Sequence, residues 1–469
     1  MATIKFGTSG WRAILAEDFT FENMRLVTAA IAELVLAHDR SPSLIVGYDT
    51  RFMADRFAAE CAELLSSFGV QVYCCQAPTP TPTIAYEILR RRTSGAINFT
   101  ASHNPGEYCG IKFSSADGAP ALPEITHQIE ANVVRLKGNP DKYNRWKATP
   151  SLIEKVNLAQ RYLEMLASKT NLALIRSSGM KFCFDPLWGT GRGYLDRLLL
   201  DAGIPVFTIH DSRDVTFGGG SPEPAEDHLE ELKQKLAETG SSLGLSTDGD
   251  GDRFGILDED GTFIPPNQII PLLLDYLIES RKWEGGAARS VATSHFLDAV
   301  TQARGRELFE TPVGFKYIGE LIKADKIVIG GEESAGLTIK GHVPEKDGIL
   351  ACLLAAEMVA ARGKSLRAQL AELQAKVGVF ETVRLNLRMT PELKAKLRNK
   401  MESPPSSLGG HQVVRENRVD GLKLILENGT WVLLRLSGTE PVARCYVEAH
   451  SLQELNQLME AAKKFVFGE

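Results

Sequence analysis

The chain has 469 residues, 43% apolar and 24% charged, the composition of a soluble globular protein with a large core and room for roughly three domains of about 150 residues. A net charge of −6 excludes general nucleic-acid binding, which leaves a basic footprint, so an anionic substrate would need a locally basic pocket. Seven scattered cysteines without metal-ligand spacing read as reduced, mostly buried thiols; no leader pattern opens the chain, and the longest apolar run, 269–278, is interrupted by Pro271 and Asp275 and too short to cross a bilayer, so a cytoplasmic protein with no membrane partner is expected.

Taken in chain order, Met24, Val27, Ile31, Leu34 and Val35 form an apolar helical stripe that core packing explains. Residues 44–46 read as a strand leading into Gly47-Tyr48-Asp49, residues 54–68 as a helix stopped by Gly69, and 70–73 as a second strand that ends at Cys74-Cys75. Ile97-Asn98-Phe99 should be a strand delivering Thr100-Ala101-Ser102-His103-Asn104-Pro105 into a turn, since Asn-Pro restricts the backbone. The alternation then repeats. Residues 180–184 read as a strand followed by Gly189-Thr190-Gly191 and a helix through Leu200, 225–239 as an amphipathic helix, and 243–245 as a strand running into an acidic loop. A third cycle covers 291–329, and a helix follows over 347–361. Repeated units of this kind predict parallel sheets covered by helices, with ligand loops beyond the strands' carboxyl ends. From about Val377 the pattern changes: a strand over 380–387, a helix over 391–401, two strands over 422–427 and 431–436 joined by Asn428-Gly429, which suits a type I′ turn, and a final helix over 455–465. The expected fold class is α/β, with three similar mixed α/β domains (1–148, 149–258 and 259–376) plus a C-terminal α+β domain (377–469).

Ser102 is a weak nucleophile unless a base or an electrostatic field assists it; His103 is adjacent and Lys112 close in sequence. A Ser-His pair in a loop is by itself an ordinary turn. Asp248, Asp250 and Asp252 alternate with Gly249 and Gly251, which let the backbone turn tightly so that three carboxylates converge on one hard cation such as Mg2+ or Ca2+. An EF-hand is excluded because Arg253 stands where the loop needs glycine and a strand precedes it; a metal-free acidic turn is the alternative. Arg435-Leu436-Ser437-Gly438-Thr439-Glu440-Pro441, with Arg444, offers two guanidinium groups, hydroxyls and backbone N–H groups that can cradle a phosphate. Gly331-Glu332-Glu333-Ser334-Ala335-Gly336 should lie at a sheet's carboxyl edge, where glutamate and serine can bond sugar hydroxyls, although alone it reads as a solvated turn. Thr311-Pro312-Val313-Gly314-Phe315-Lys316 and Gly7-Thr8-Ser9-Gly10-Trp11-Arg12 are further glycine-bearing turns with a basic residue.

These six stretches, in this order, resemble the α-D-phosphohexomutase family, whose members include phosphoglucomutases and phosphomannomutases, and the resemblance runs over nearly the whole chain. It implies four domains around a cleft, contributing a phosphoserine loop, a metal loop, a sugar loop and a distal phosphate loop. It implies phosphate on Ser102, one Mg2+ per chain held by Asp248, Asp250, Asp252 and the Ser102 phosphate, and catalytic contributions from Arg12 and Arg253, with Lys112 or His103 as general acid or base. Substrate contacts are implied for Lys316, Glu332, Ser334, Arg435, Ser437, Gly438, Thr439 and Arg444. The implied reaction interconverts α-D-glucose 1-phosphate and glucose 6-phosphate, with glucose 1,6-bisphosphate as intermediate and activator, in a monomer or homodimer whose partners are sugar phosphates. Gly-Phe-Lys and Gly-Glu-Glu-Ser resemble phosphoglucomutases more than the bifunctional mannose/glucose enzymes, and Ala335-Gly336 departs from the Gly-His of that group; glucose phosphate is expected first, mannose phosphate, alone or with glucose phosphate, second and glucosamine phosphate third. A phosphatase using the serine once would need no distal phosphate loop, and a non-catalytic sugar-phosphate-binding relative would need neither the serine nor the three aspartates.

Overall fold

The structure, a computed structural model, describes residues 4–436 and 442–468. Four sheets follow one another along the chain. The first has six strands in the spatial order Trp11–Ile14, Tyr108–Ser115, Gly95–Phe99, Ser43–Tyr48, Gln71–Cys75 and Ile153–Val156. Its last four are parallel and its first two antiparallel additions. The second sheet runs Phe254–Leu257, Leu243–Thr247, Phe182–Asp185, Val206–Thr208, and the third Leu308–Thr311, Gly286–Ser290, Ile327–Glu332, Gly336–Ile339; each is parallel but for one antiparallel edge strand. The fourth is wholly antiparallel, in the order Glu381–Arg388, Val442–Ala449, Trp431–Leu436, Leu422–Leu426, His411–Asn417, Ser407–Leu408. Three α/β units and a C-terminal α+β unit are therefore present, as the alternation predicts.

One device recurs in the first three sheets. A buried parallel strand ends, a short loop turns outward, and the chain returns antiparallel on the same edge. Gly95–Phe99 and Tyr108–Ser115 bracket the Ser102 loop, Leu243–Thr247 and Phe254–Leu257 the acidic loop, and Ile327–Glu332 and Gly336–Ile339 the Glu333–Ala335 turn. Each loop sits at a strand's carboxyl end, anchored on both sides by ladder hydrogen bonds.

The second and third units share one apolar core. Helix Gly348–Arg362 fills the space between them and is buried along 348–359, so its apolar residues surround the axis. Asp347 caps it by accepting from Leu350 N at 2.9 Å, and Gly363 (φ +60°) ends it. Ile349, Leu350, Leu353 and Leu354 have no exposed surface, each burial worth about 1.5–3 kcal/mol before entropic costs. Helix Pro266–Arg281 packs in the same core and contains the apolar run read above; among the described residues no helix is long and apolar enough to cross a membrane. All seven cysteines are free and buried.

Several local expectations change. Strand Ile153–Val156 joins the first sheet through Gln71–Cys75, so that sheet reaches past 148. The third cycle opens with strand Gly286–Ser290, before Val291; its sequence, Gly-Ala-Ala-Arg-Ser, lacks the bulky apolar run that marks a strand, and Gly286 has no room for a side chain because a Cβ there would lie 2.1 Å from Glu307 O. Residues 225–239 divide into a 3-10 turn, Glu226–His228, and helix Glu230–Thr239, because Leu229 (φ −108°, ψ 19°) leaves the helical region. The Asn428-Gly429 hairpin is a three-residue loop: Gly429 N donates to Leu426 O at 2.9 Å, and of the two only Gly429 has positive φ (+86°). That is a type I turn with a glycine bulge, whereas type I′ needs both residues at positive φ.

Candidate active site

Two loops from different units meet at Ser102. Its backbone is left-handed (φ +51°), its N–H donates to Thr100 Oγ1 at 2.9 Å, and its Oγ donates to Asp248 Oδ2 at 2.7 Å. Glycine makes the approach possible, because a Cβ on Gly249 would fall 2.6 Å from Ser102 O. Ser102 is 1% exposed, so the hydroxyl is held away from bulk water.

The three aspartates are buried, and one oxygen of each lies within 4.8 Å of the others. Asp248 Oδ1 accepts from the N–H groups of Asp252 (2.9 Å) and Arg253 (3.1 Å). Asp250 Oδ2 accepts from Thr81 Oγ1 at 2.6 Å and from Lys112 Nζ, and Asp252 Oδ2 from Lys112 and Lys346, both at 3.0 Å. Asp250 Oδ1 and Asp252 Oδ1 are buried without a hydrogen-bond partner, and a buried carboxylate oxygen left unpaired is costly. An oxygen-only set with two unsatisfied carboxylate oxygens fits a hard divalent cation such as Mg2+. Burial would raise the Asp252 pKa, but Lys112 and Lys346 outweigh it and hold the carboxyl below its usual range. Among the described residues Asp248 has no ammonium partner, and burial beside Asp250 and Asp252 raises it.

A cleft of about 520 Å³ opens beside them; Ser102 and the three aspartates are buried and do not line it, but their chain neighbours His103, Asn104 and Arg253 do. Of the residues singled out in the sequence, Arg12, His103, Arg253, Glu332, Ser334, Arg435 and Arg444 line it. Arg12 Nη1 donates to Asn104 Oδ1 at 2.8 Å, which fixes it over the Ser102 loop; burial and Arg253 lower its pKa to about 10, so it stays cationic at neutral pH. Burial and the same arginine push His103 well below the ordinary histidine value, leaving a neutral imidazole with Nδ1 3.5 Å from Ser102 Oγ. Arg253 Nη1 pairs with Glu223 at 3.2 Å. Glu332 accepts from Gly314 N at 2.8 Å, tying the two expected sugar loops together, and burial and Glu333 push it up to about 7. Arg435 Nη2 donates to Asp420 at 2.7 Å. Arg444 belongs to strand Val442–Ala449 and is the register partner of Arg435, so both project from one sheet face.

Two placements differ from the sequence reading. Lys112 does not line the cleft; its ammonium lies behind Asp250 and Asp252 and pairs with both. Lys316 follows cleft residues Val313, Gly314 and Phe315, but its Nζ sits over the Tyr317 ring, 5.5 Å from the centroid. Ser437, Gly438 and Thr439 lie outside the described residues. The sequence reading missed Lys346, Arg384 and Arg51. Lys346 lines the cleft and could have been suspected from Glu345-Lys346-Asp347, an acid–base–acid run before a helix. Arg384 also lines it; in Glu381–Arg388, Arg384 and Asn386 alternate with Val383, Leu385 and Leu387, and Asn386 pairs with Arg444. Arg51 is buried under the Ser102 loop, two residues beyond the Asp49 that ends a strand motif in the sequence.

Four family profiles match successive stretches: phosphoglucomutase/phosphomannomutase alpha/beta/alpha domain I over 3–139, domain II over 160–261, domain III over 265–377, and the C-terminal domain over 392–464. A phosphoglucomutase/phosphomannomutase of Thermococcus kodakarensis is 29% identical over 464 residues, covering 98% of both chains. A phosphoglucosamine mutase of Caldicellulosiruptor bescii is 27% identical and also covers 98% of each. A crystal structure from Thermus thermophilus, provisionally described as a phosphomannomutase, superposes over all of both chains with a TM-score of 0.86 at 34% identity. With the profiles running through all four units and whole-length relatives of the same kind, the chain belongs to the phosphoglucomutase/phosphomannomutase family, the α-D-phosphohexomutases.

Proposed function

We propose that the protein moves a phosphoryl group between the C1 and C6 oxygens of an α-D-hexose phosphate, with Ser102 carrying it between transfers. The observation that carries this reading is the 2.7 Å hydrogen bond from Ser102 Oγ to Asp248, made between two units next to an arginine-lined cleft whose wall includes the neighbouring residues His103, Asn104 and Arg253. Asp248, Asp250 and Asp252, with an oxygen of the Ser102 phosphate, would hold one Mg2+, which when bound supplies positive charge against the phosphoryl oxygens. Arg12 and Arg253, on the same side of the cleft as the Ser102 loop, neutralise charge on the group in transfer. Arg384, Arg435 and Arg444 anchor the sugar's other phosphate from the fourth sheet, and Glu332 and Ser334 bond sugar hydroxyls between the two positions.

A sugar hydroxyl attacks phosphorus, the bond from phosphorus to Ser102 Oγ breaks as the bond to the sugar oxygen forms, and the product is a hexose 1,6-bisphosphate. The bisphosphate turns around and returns its other phosphoryl group to Ser102. The hydroxyl proton must leave during each transfer, and the neutral His103 imidazole, in the cleft wall, is proposed to take and return it; Lys346, kept cationic by Asp252 and Glu345, would instead add positive charge beside the transferring group.

Glucose phosphate is the proposed substrate, with glucose 1,6-bisphosphate as the intermediate. The relatives named for mannose and glucosamine phosphates support those two sugars no less. Turnover of glucose, mannose and glucosamine 1-phosphates, each with a trace of its bisphosphate and Mg2+, separates the three. Ser102→Ala is expected to abolish turnover on whichever sugar is used while sugar phosphate still binds; wild-type turnover in that variant would sink the reading.

A further inference from the structure

Arg51 has no exposed surface and does not line the cleft, yet all five of its N–H donors are committed. Nε donates to Asp49 Oδ2 at 3.0 Å. Nη1 donates to the carbonyls of Pro105 (2.7 Å) and Tyr108 (3.1 Å), and Nη2 to those of Ser102 and Asn104, both at 2.6 Å. Four carbonyls of the loop that carries the proposed nucleophile therefore converge on one guanidinium. Asp49 closes the ring: it accepts from Arg51 N at 2.9 Å and bonds Thr100, whose Oγ1 accepts from Ser102 N. Ser102 is held at φ +51°, a left-handed conformation that a serine leaves unless its surroundings over-determine it.

A segment of the second unit closes over the other side. Arg213 Nε and Nη2 donate to the carbonyls of Thr50 and Arg51, both at 3.2 Å. The Phe217 ring lies 4.8 Å from the Arg51 guanidinium carbon, Ser221 Oγ donates to His103 O, and a Cβ on Gly106 would meet Val215 O at 2.8 Å. The segment that grips the loop thus belongs to the same unit as the acidic loop.

We propose that Arg51 is the positioning residue for Ser102: its guanidinium, covered by the Phe217 ring while Arg213 pins the backbone carbonyls of Thr50 and Arg51, turns the loop carbonyls inward and keeps Oγ aimed at Asp248. The inference rests on the phosphoserine reading above. Lysine at 51 would keep a charge for Asp49 but brings three donors on a flexible stem, so it cannot reproduce a planar five-donor fork. Reacting atoms misplaced by about 1 Å lose on the order of 100-fold in rate, while substrate affinity, set by the cleft arginines, is untouched.

The test is Arg51→Lys in the full-length, Mg2+-loaded protein. We measure kcat and KM on the preferred sugar 1-phosphate, together with a single turnover of phosphorylated protein followed by intact mass. The expected result is a fall in kcat and in the single-turnover rate on the order of 10- to 100-fold, with KM within about twofold. Arg213→Ala is the second variant, since its side chain is 41% exposed and its loss leaves no unpaired buried charge; a several-fold fall in kcat at constant KM is expected. Wild-type kcat in folded Arg51→Lys overturns the proposal, as does a loss shared equally between kcat and KM. Should Arg51→Lys not fold, unchanged kcat in Arg213→Ala overturns it. Failure of the underlying reading looks different: wild-type protein would then show no phosphate on Ser102.

Discussion

Gly249 leaves no room for a side chain, and the consequence can be sized. An added Cβ would stand 2.6 Å from Ser102 O and 3.0 Å from Pro222 Cγ, whereas ordinary contact begins at 3.4 Å. The Ser102 carbonyl cannot retreat freely, because Arg51 holds it at 2.6 Å. Alanine at 249 therefore has to separate the serine loop from the acidic loop by about 0.8 Å. Gly249 is not among the glycines with positive φ, so alanine is acceptable to the backbone and the clash is the whole effect. If 1 Å of misplacement costs on the order of 100-fold, this displacement costs roughly 40-fold in kcat, about 2 kcal/mol of barrier, with KM little changed. The assay is steady-state turnover of the sugar 1-phosphate coupled to oxidation of the 6-phosphate product, with circular dichroism confirming the fold. Gly138→Ala is the control, since a Cβ there meets only Arg135 O at 3.6 Å. Wild-type kcat in folded Gly249→Ala would refute the claim that the two loops meet through this contact in the working protein.

Chelation of divalent metal is expected to stop turnover and added Mg2+ to restore it; rates indifferent to chelator would remove the metal from the three aspartates. Glu332, pushed up to about 7 by burial from 4.5, binds a proton more readily in the folded protein. Its contribution to stability is full below about pH 4.5 and lost as pH rises through 7, an effect of up to about 3 kcal/mol. Denaturant unfolding at pH 5 and pH 8 should show this loss in the wild type and a smaller one in Glu332→Gln; equal pH dependence would contradict it. Arg384→Ala should raise KM on the order of 10-fold while leaving the fold intact, because it removes one of three cleft arginines from the fourth sheet; an unchanged KM would mean that Arg384 touches no phosphate.

Residues whose chemistry depends on near neighbours were legible in the chain itself. The alternation of strand and helix through the first three units follows from local apolar periodicity, and Asp248, Asp250 and Asp252 converge because glycines between them let a short loop fold back. Ser102 could be placed at a strand end for the same reason. The chain by itself thus determined the layered α/β architecture, the two loops that meet and the family to which they belong. Tertiary structure alone decided which cations reach them. Lys112 is only ten residues from Ser102, yet its ammonium lies behind the aspartates, while Lys346, more than two hundred residues away, lines the cleft. Arg51 reads as one more basic residue after a strand until four carbonyls from positions 102 to 108 surround it. Arg384 acquires its place only when its strand pairs with Val442–Ala449. The physical reason is reach. A long basic side chain can serve any acceptor within several ångströms of its Cα, and which acceptors lie there is set by how separate units pack rather than by spacing along the chain.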